Sequence, residues 1–149
     1  MKKIILLILS LSVYTLSADL GIDATLGTIN PKGQYTDFNL DFDGHLWYLW
    51  DQMVLLGCGG GVQQFGTAKQ YPIVLSGLIR LPIGGQMLPL ISGDWGYTLG
   101  SLNEFLYKAG GGLDLKLGDN SSLIALLGYQ NNVRSGAFLY SRAGILLEF

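Results

Sequence analysis

Glu104-Phe105-Leu106-Tyr107-Lys108-Ala109-Gly110-Gly111-Gly112-Leu113-Asp114-Leu115-Lys116-Leu117 alternates along almost its whole length. Phe105, Tyr107, Ala109, Leu113, Leu115 and Leu117 share one parity, and Glu104, Lys108, Gly110, Gly112, Asp114 and Lys116 share the other. Successive side chains of a strand point to opposite faces, so this is a strand with one greasy face and one face of charge and glycine. The pattern recurs outward. Toward the C-terminus, Leu139, Ala143, Ile145, Leu147 and Phe149 oppose Tyr140, Arg142, Gly144 and Glu148. Toward the N-terminus, Ile91, Trp95, Tyr97 and Leu99 oppose Ser92, Asp94, Gly96 and Thr98, while Phe38, Leu40, Phe42, Leu46 and Tyr48 oppose Asn39, Asp41, Asp43 and His45. Leu20, Ile22, Ala24 and Leu26 oppose Asp23 and Thr25. Helical periodicity is poor throughout. The alternation predicts eight strands, at 19–29, 37–49, 52–65, 71–83, 87–100, 104–117, 121–131 and 138–149.

Composition places these strands in an unusual setting. The chain has 149 residues, 49% hydrophobic and 13% charged, with 22 glycines. Soluble domains carry about 25% charged residues and about 7% glycine, so charge is halved and glycine doubled. The length suits one unit. A net charge of −2 without a basic cluster excludes a nucleic-acid partner. Cys58 is the single cysteine, which excludes a disulfide framework or a cysteine-based zinc site.

Residues 1–18 read as an export signal and are set apart from the fold. Met1-Lys2-Lys3 is basic, Ile4 to Leu16 is mostly apolar, and the small pair Ser17-Ala18 precedes Asp19. Cleavage after Ala18 leaves residues 19–149. Asp19 cuts the apolar run below the ~20 residues that a spanning helix needs.

The connections carry a second signal. Trp50-Asp51, Gly84-Gly85-Gln86 and Gly118-Asp119-Asn120 are read as tight hairpin turns. The segments 30–36, 66–70, 101–103 and 132–137 are read as somewhat longer loops, all on the opposite rim of an up-and-down meander. A soluble, lipocalin-like binder would turn the apolar parity inward around a ligand. Three features favour the inverse. Tyr48, Trp50, Tyr71, Trp95, Tyr97, Tyr107, Tyr129 and Phe149 lie mainly on the apolar parity, often near strand ends, as in an interfacial aromatic belt. Glycines such as Gly57, Gly59, Gly61, Gly110 and Gly112 gather on the polar parity, where a narrow lumen has least room. About 11 residues at ~3.3 Å rise and ~45° tilt span roughly 25 Å, the height of an outer-membrane apolar band. The expectation is an all-β, closed, eight-stranded antiparallel transmembrane barrel.

On this reading the lumen holds Asp23, Asp41, Asp43, His45, Arg80, Asp94, Glu104, Lys108, Asp114, Arg142 and Glu148. Mixed charges in a closed interior pair with one another, because an unpaired buried charge is costly. Arg80, Lys108 and Arg142 are expected to face Asp94, Asp114 and Glu104, filling the lumen. Asp41, Asp43 and His45 share a face, but two acids and one histidine fall short of a metal site. His45 is the single histidine, has lumenal parity and sits in no serine-containing motif, so no catalytic residues are assigned. Gly57-Cys58-Gly59-Gly60-Gly61 lacks the lysine and helix of a phosphate loop and reads as strand glycine. Cys58 has apolar parity. No cofactor is expected, and no ligand is specified.

Ser141-Arg142-Ala143-Gly144-Ile145-Leu146-Leu147-Glu148-Phe149 resembles the C-terminal strand of bacterial outer-membrane barrels. Pro89 to Tyr97, Ala109 to Gly118 and Leu123 to Tyr129 are similar to the small eight-stranded family that includes OmpX-like and OmpW-like proteins. The resemblance implies a place in the outer membrane of a Gram-negative-type cell, contact with its lipid, and Phe149 as part of the signal read by the barrel-assembly machinery. Many relatives display long external loops, whereas none here is expected to exceed about seven residues, which argues against adhesion. The implied role is structural or an unassigned solute or interaction role, without catalysis. A narrow channel is the other membrane reading.

Overall fold

A computed structural model of the chain describes residues 19–32, 39–83 and 85–149. The export segment 1–18, residues 33–36 of the first expected loop, Asp37 and Phe38 at the start of the second expected strand, and Gly84 of an expected turn lie outside the described residues. Eight strands follow in order: β1 (Leu20–Pro31), β2 (Leu40–Asp51), β3 (Val54–Phe65), β4 (Ala68–Arg80), β5 (Met87–Gly100), β6 (Glu104–Lys116), β7 (Ser121–Asn132) and β8 (Gly136–Glu148). Each pairs antiparallel with its sequence neighbours. β1 also pairs with β8, from Gly21 opposite Glu148 to Pro31 opposite Phe138, and this closes the barrel. Closure leaves no sheet edge with unpaired backbone groups, the condition for strands in lipid.

Several connections differ from their sequence reading, among them 132–137, which contracts to 133–135. Trp50 and Asp51 belong to β2, where the register shifts between Leu49 and Asp51, and the turn falls at Gln52-Met53. Segment 66–70 contracts to Gly66-Thr67, because Ala68, Lys69 and Gln70 pair with Phe65, Gln64 and Gln63. Gly66 has φ +59°, a conformation that favours glycine. β4 correspondingly ends at Arg80, and the connection to β5 begins at Leu81. Among the described connections the expected contrast between a short-turn rim and a long-loop rim does not hold: Gly66-Thr67 lies on the supposed long side, and the connection that begins at Leu81 lies on the supposed short side.

The two faces separate as the parity predicts, with the apolar side outward. Leu46 is 62% exposed and Leu127 70%, whereas Asp41 and Asp114 are 0%. Among the described side chains, Lys69 is the single Asp, Glu, Lys or Arg that faces outward from a strand. This orientation excludes the soluble, lipocalin-like arrangement, whose apolar face would have to be inside.

The wall is shaped by what lies within it. Gly57, Gly59 and Gly61 on β3 stand directly opposite Trp47, His45 and Asp43 on β2. A Cβ on any of the three would collide with the facing side chain and the β2 backbone. The Gly57–Gly61 run is thus the seat for three large inward groups, and it holds no phosphate-loop geometry.

Candidate functional site

The described inward side chains are arranged in layers. At the rim where β1 begins and β8 ends, Arg80 ends β4 with its side chain turned inward. Its Nε donates to Asp114 Oδ2 at 2.6 Å, its Nη1 to the Gln52 carbonyl at 3.1 Å, and its Nη2 to Glu148 Oε1. Lys116 Nζ reaches Glu148 Oε2 at 3.4 Å. Inward along the strands come Leu55, Leu78, Leu90, Ile124 and Leu146, all buried.

The middle of the lumen is ionic. Asp43 Oδ2 receives Lys108 Nζ at 2.5 Å and also Arg142 Nη1. Asp41 and Asp94 lie 3.8 and 3.7 Å from the Arg142 guanidinium, which packs 4.6 Å from the centre of the Tyr140 ring. Asp23 accepts His45 Nδ1 at 2.9 Å and Trp47 Nε1 at 2.8 Å. Farther on, Gln63 and Gln130 exchange hydrogen bonds of 2.9 and 3.1 Å. Gln130 also donates to Asn132, which donates to Glu104.

Three of these contacts join strands on opposite sides of the barrel: Arg80 to Glu148 links β4 with β8, Asp43 to Lys108 links β2 with β6, and Gln63 to Gln130 links β3 with β7. In a closed ring of eight, strands four apart face each other across the diameter, so each contact is a strut. The lumen is braced at three levels.

Every lumen residue named from the sequence turns inward, but the pairing differs in part. Arg80 meets Asp114, and Arg142 lies near Asp94, as expected. Lys108 crosses to Asp43, although Asp94 stands opposite it in register. A long side chain in a narrow cylinder meets the far wall as readily as its neighbour. Glu104 faces the β7–β8 turn and accepts the backbone N–H groups of Arg134 and Ser135 at 2.7 and 2.9 Å, together with the Ser135 hydroxyl. Gln63, Gln130 and Asn132 escaped the sequence reading because neutral amides carry no charge signal. Their inward parity was the available clue.

His45 has Asp23 at Nδ1, the partner that orients an imidazole for base catalysis. Its Nε2 has no hydrogen-bond partner among the described residues, and the ring lies between the wall and Trp47, 5.1 Å away. No group of three or more metal-ligating side chains occurs among the described residues.

Tyr140 ties the wall to the ionic centre. It stands opposite Gly128, which stands opposite Gly110 on β6, and a Cβ on either glycine would strike the ring or its hydroxyl. Gly128→Ala is therefore expected to lift the ring off the wall, disturb its stacking on Arg142, and cost about 1–3 kcal/mol by overpacking. Gly77→Ala is the control, since its added methyl meets nothing nearer than 3.9 Å. Urea titration of the two variants measures the difference, and equal midpoints would remove Tyr140 from its proposed seat.

A closed antiparallel barrel with an apolar exterior and charges paired in its interior defines the class: a membrane-spanning β-barrel. More particularly, the fold is that of the small eight-stranded outer-membrane barrels. No protein-family model and no curated protein sequence matches the chain. Among solved structures, the N-terminal barrel domain of Pseudomonas aeruginosa OprF aligns with TM-score 0.70 at 16% identity, over 88% of this chain and 97% of that one. Neisserial surface protein A aligns with TM-score 0.65 at 12% identity, over 89% and 97%. The outer membrane enzyme PagL aligns with TM-score 0.56 at 14% identity, over 85% and 98%. The same fold thus serves proteins of different roles, and role has to be argued from this chain's own residues.

Proposed function

We propose that this chain is a non-catalytic integral protein of the outer membrane, a braced barrel with a closed lumen and a structural or interaction role. On this reading residues 1–18 direct export, the mature protein begins at Asp19, and Phe149 contributes to recognition by the barrel-assembly machinery. The lumen charges Asp23, Asp41, Asp43, His45, Arg80, Asp94, Glu104, Lys108, Asp114 and Arg142 act as a packing network. The observation that carries the reading is the set of three cross-lumen struts, supported by buried leucines between the first and the second. Eight strands enclose an interior that side chains alone can fill, and here they do so with paired charges. Catalysis at His45 would require a substrate to reach a ring that is 6% exposed inside the wall.

Two experiments test this. The intact mass of membrane-extracted protein is expected to correspond to residues 19–149, and a mass that includes residues 1–18 would sink the export reading. Purified protein in planar bilayers is expected to show no steady conductance. Stable ohmic channels from the unmodified chain would establish the narrow-channel alternative in its place.

A further inference from the structure

The outward face has one marked feature besides its general apolarity. Lys69, exposed near the start of β4, is the sole outward charge among the described strand side chains. Tyr71, Ile73 and Leu75 follow on the same outward parity, opposite Leu99, Tyr97 and Trp95 on β5. Phe105 on β6 stacks with Trp95 at 6.1 Å and 17°, and meets Tyr97 edge-on at 5.1 Å. These rings form one wall of a groove of about 310 Å³, lined by Ile73, Leu75, Trp95, Tyr97, Leu99 and Phe105. The lining is hydrocarbon and aromatic, so the groove suits an alkyl chain.

Position relates the groove to the lysine. Ile73 lies four residues beyond Lys69, about 13 Å at ~3.3 Å per residue, or roughly 9 Å of depth at ~45° tilt. That depth passes the interfacial layer, which is about 5–8 Å thick on each side of the hydrocarbon core. A cation at headgroup level above an alkyl groove complements an amphiphile with a negative head. We propose that this face is a binding site for an acyl lipid whose phosphate headgroup carries a net negative charge: the Lys69 ammonium pairs with the phosphate, and one acyl chain lies against Trp95 and Phe105. The site rests on the membrane-embedded reading given above.

The test uses the folded protein in lipid vesicles on a Trp50→Phe background, so that Trp95 is the outward tryptophan and the buried Trp47 adds a constant signal. Phosphatidylglycerol and phosphatidylcholine with brominated acyl chains are compared as quenchers. Lysine near an anionic lipid surface is worth about a fivefold preference, so phosphatidylglycerol is expected to quench at about fivefold lower mole fraction. Lys69→Gln is expected to abolish the preference, while Lys32→Gln leaves it intact. Equal quenching by the two lipids in the unmodified protein, or an unchanged preference after Lys69→Gln, would overturn the site. Heat-modifiable migration is measured first on the same samples: its loss overturns the membrane reading as well, whereas its presence without lipid preference overturns this site alone.

Discussion

Asp43→Ala is expected to destabilise the folded barrel by about 3–5 kcal/mol, the cost typical of removing one partner from a buried ion pair. Asp43 holds both Lys108 and Arg142, and the Lys108 side chain is 0% exposed. Arg142 keeps Asp41 and Asp94 nearby after the change, whereas Lys108 loses its one direct ion pair and keeps the Asp41 charge at longer range and the Tyr140 ring 6.0 Å away. The penalty is thus mainly that of a buried ammonium left without a carboxylate in direct contact. Asp43→Leu combined with Lys108→Leu removes both charges and is expected to recover a large part of the loss, since buried pairs are often replaceable by apolar groups. Urea unfolding of the single and double variants in lipid vesicles checks this. If the double variant is as unstable as the sum of its singles, the strut between β2 and β6 is wrongly assigned.

The second large effect lies on the outer face. Leu127 is 70% exposed and sits near the middle of β7. Leu127→Arg is expected to cost about 2–4 kcal/mol if that surface meets hydrocarbon, whereas Leu99→Arg, one residue from the end of β5, is expected to cost about 0–1 kcal/mol. In water both leucines are exposed, and arginine at either would be close to neutral. Depth dependence is therefore the signature of a bilayer, and its absence from folding measurements in vesicles would contradict a lipid-facing surface.

Much of this architecture is legible in the sequence, and the reasons are particular. The Glu104–Leu117 alternation assigns each residue to a face, because a one-residue slip would turn every apolar side chain into the charged lumen. The glycines opposite Trp47, His45 and Asp43 fit the same scheme, since a narrow barrel with bulky inward groups needs gaps in the adjacent wall. Turn positions were less legible. Ala68-Lys69-Gln70 looks like loop sequence, yet its backbone completes the β3–β4 ladder, a gain that side-chain pattern does not express. Partners across the lumen were the least legible. Parity places Lys108 inside, but its choice of Asp43 over Asp94 depends on how strands four apart meet when the ring closes.

Cys58 offers a direct probe of whether the apolar parity faces lipid. It is the one cysteine of the chain, exposed on the outward face of β3 between Gly57 and Gly59. A nitroxide attached to Cys58 of the protein folded in vesicles can be tested for collision with oxygen, which concentrates in hydrocarbon, and with a water-soluble nickel chelate. With Cys58 in hydrocarbon, strong relaxation by oxygen and little by nickel is expected. Strong relaxation by nickel with little by oxygen would place Cys58 in water and contradict the orientation of the whole barrel.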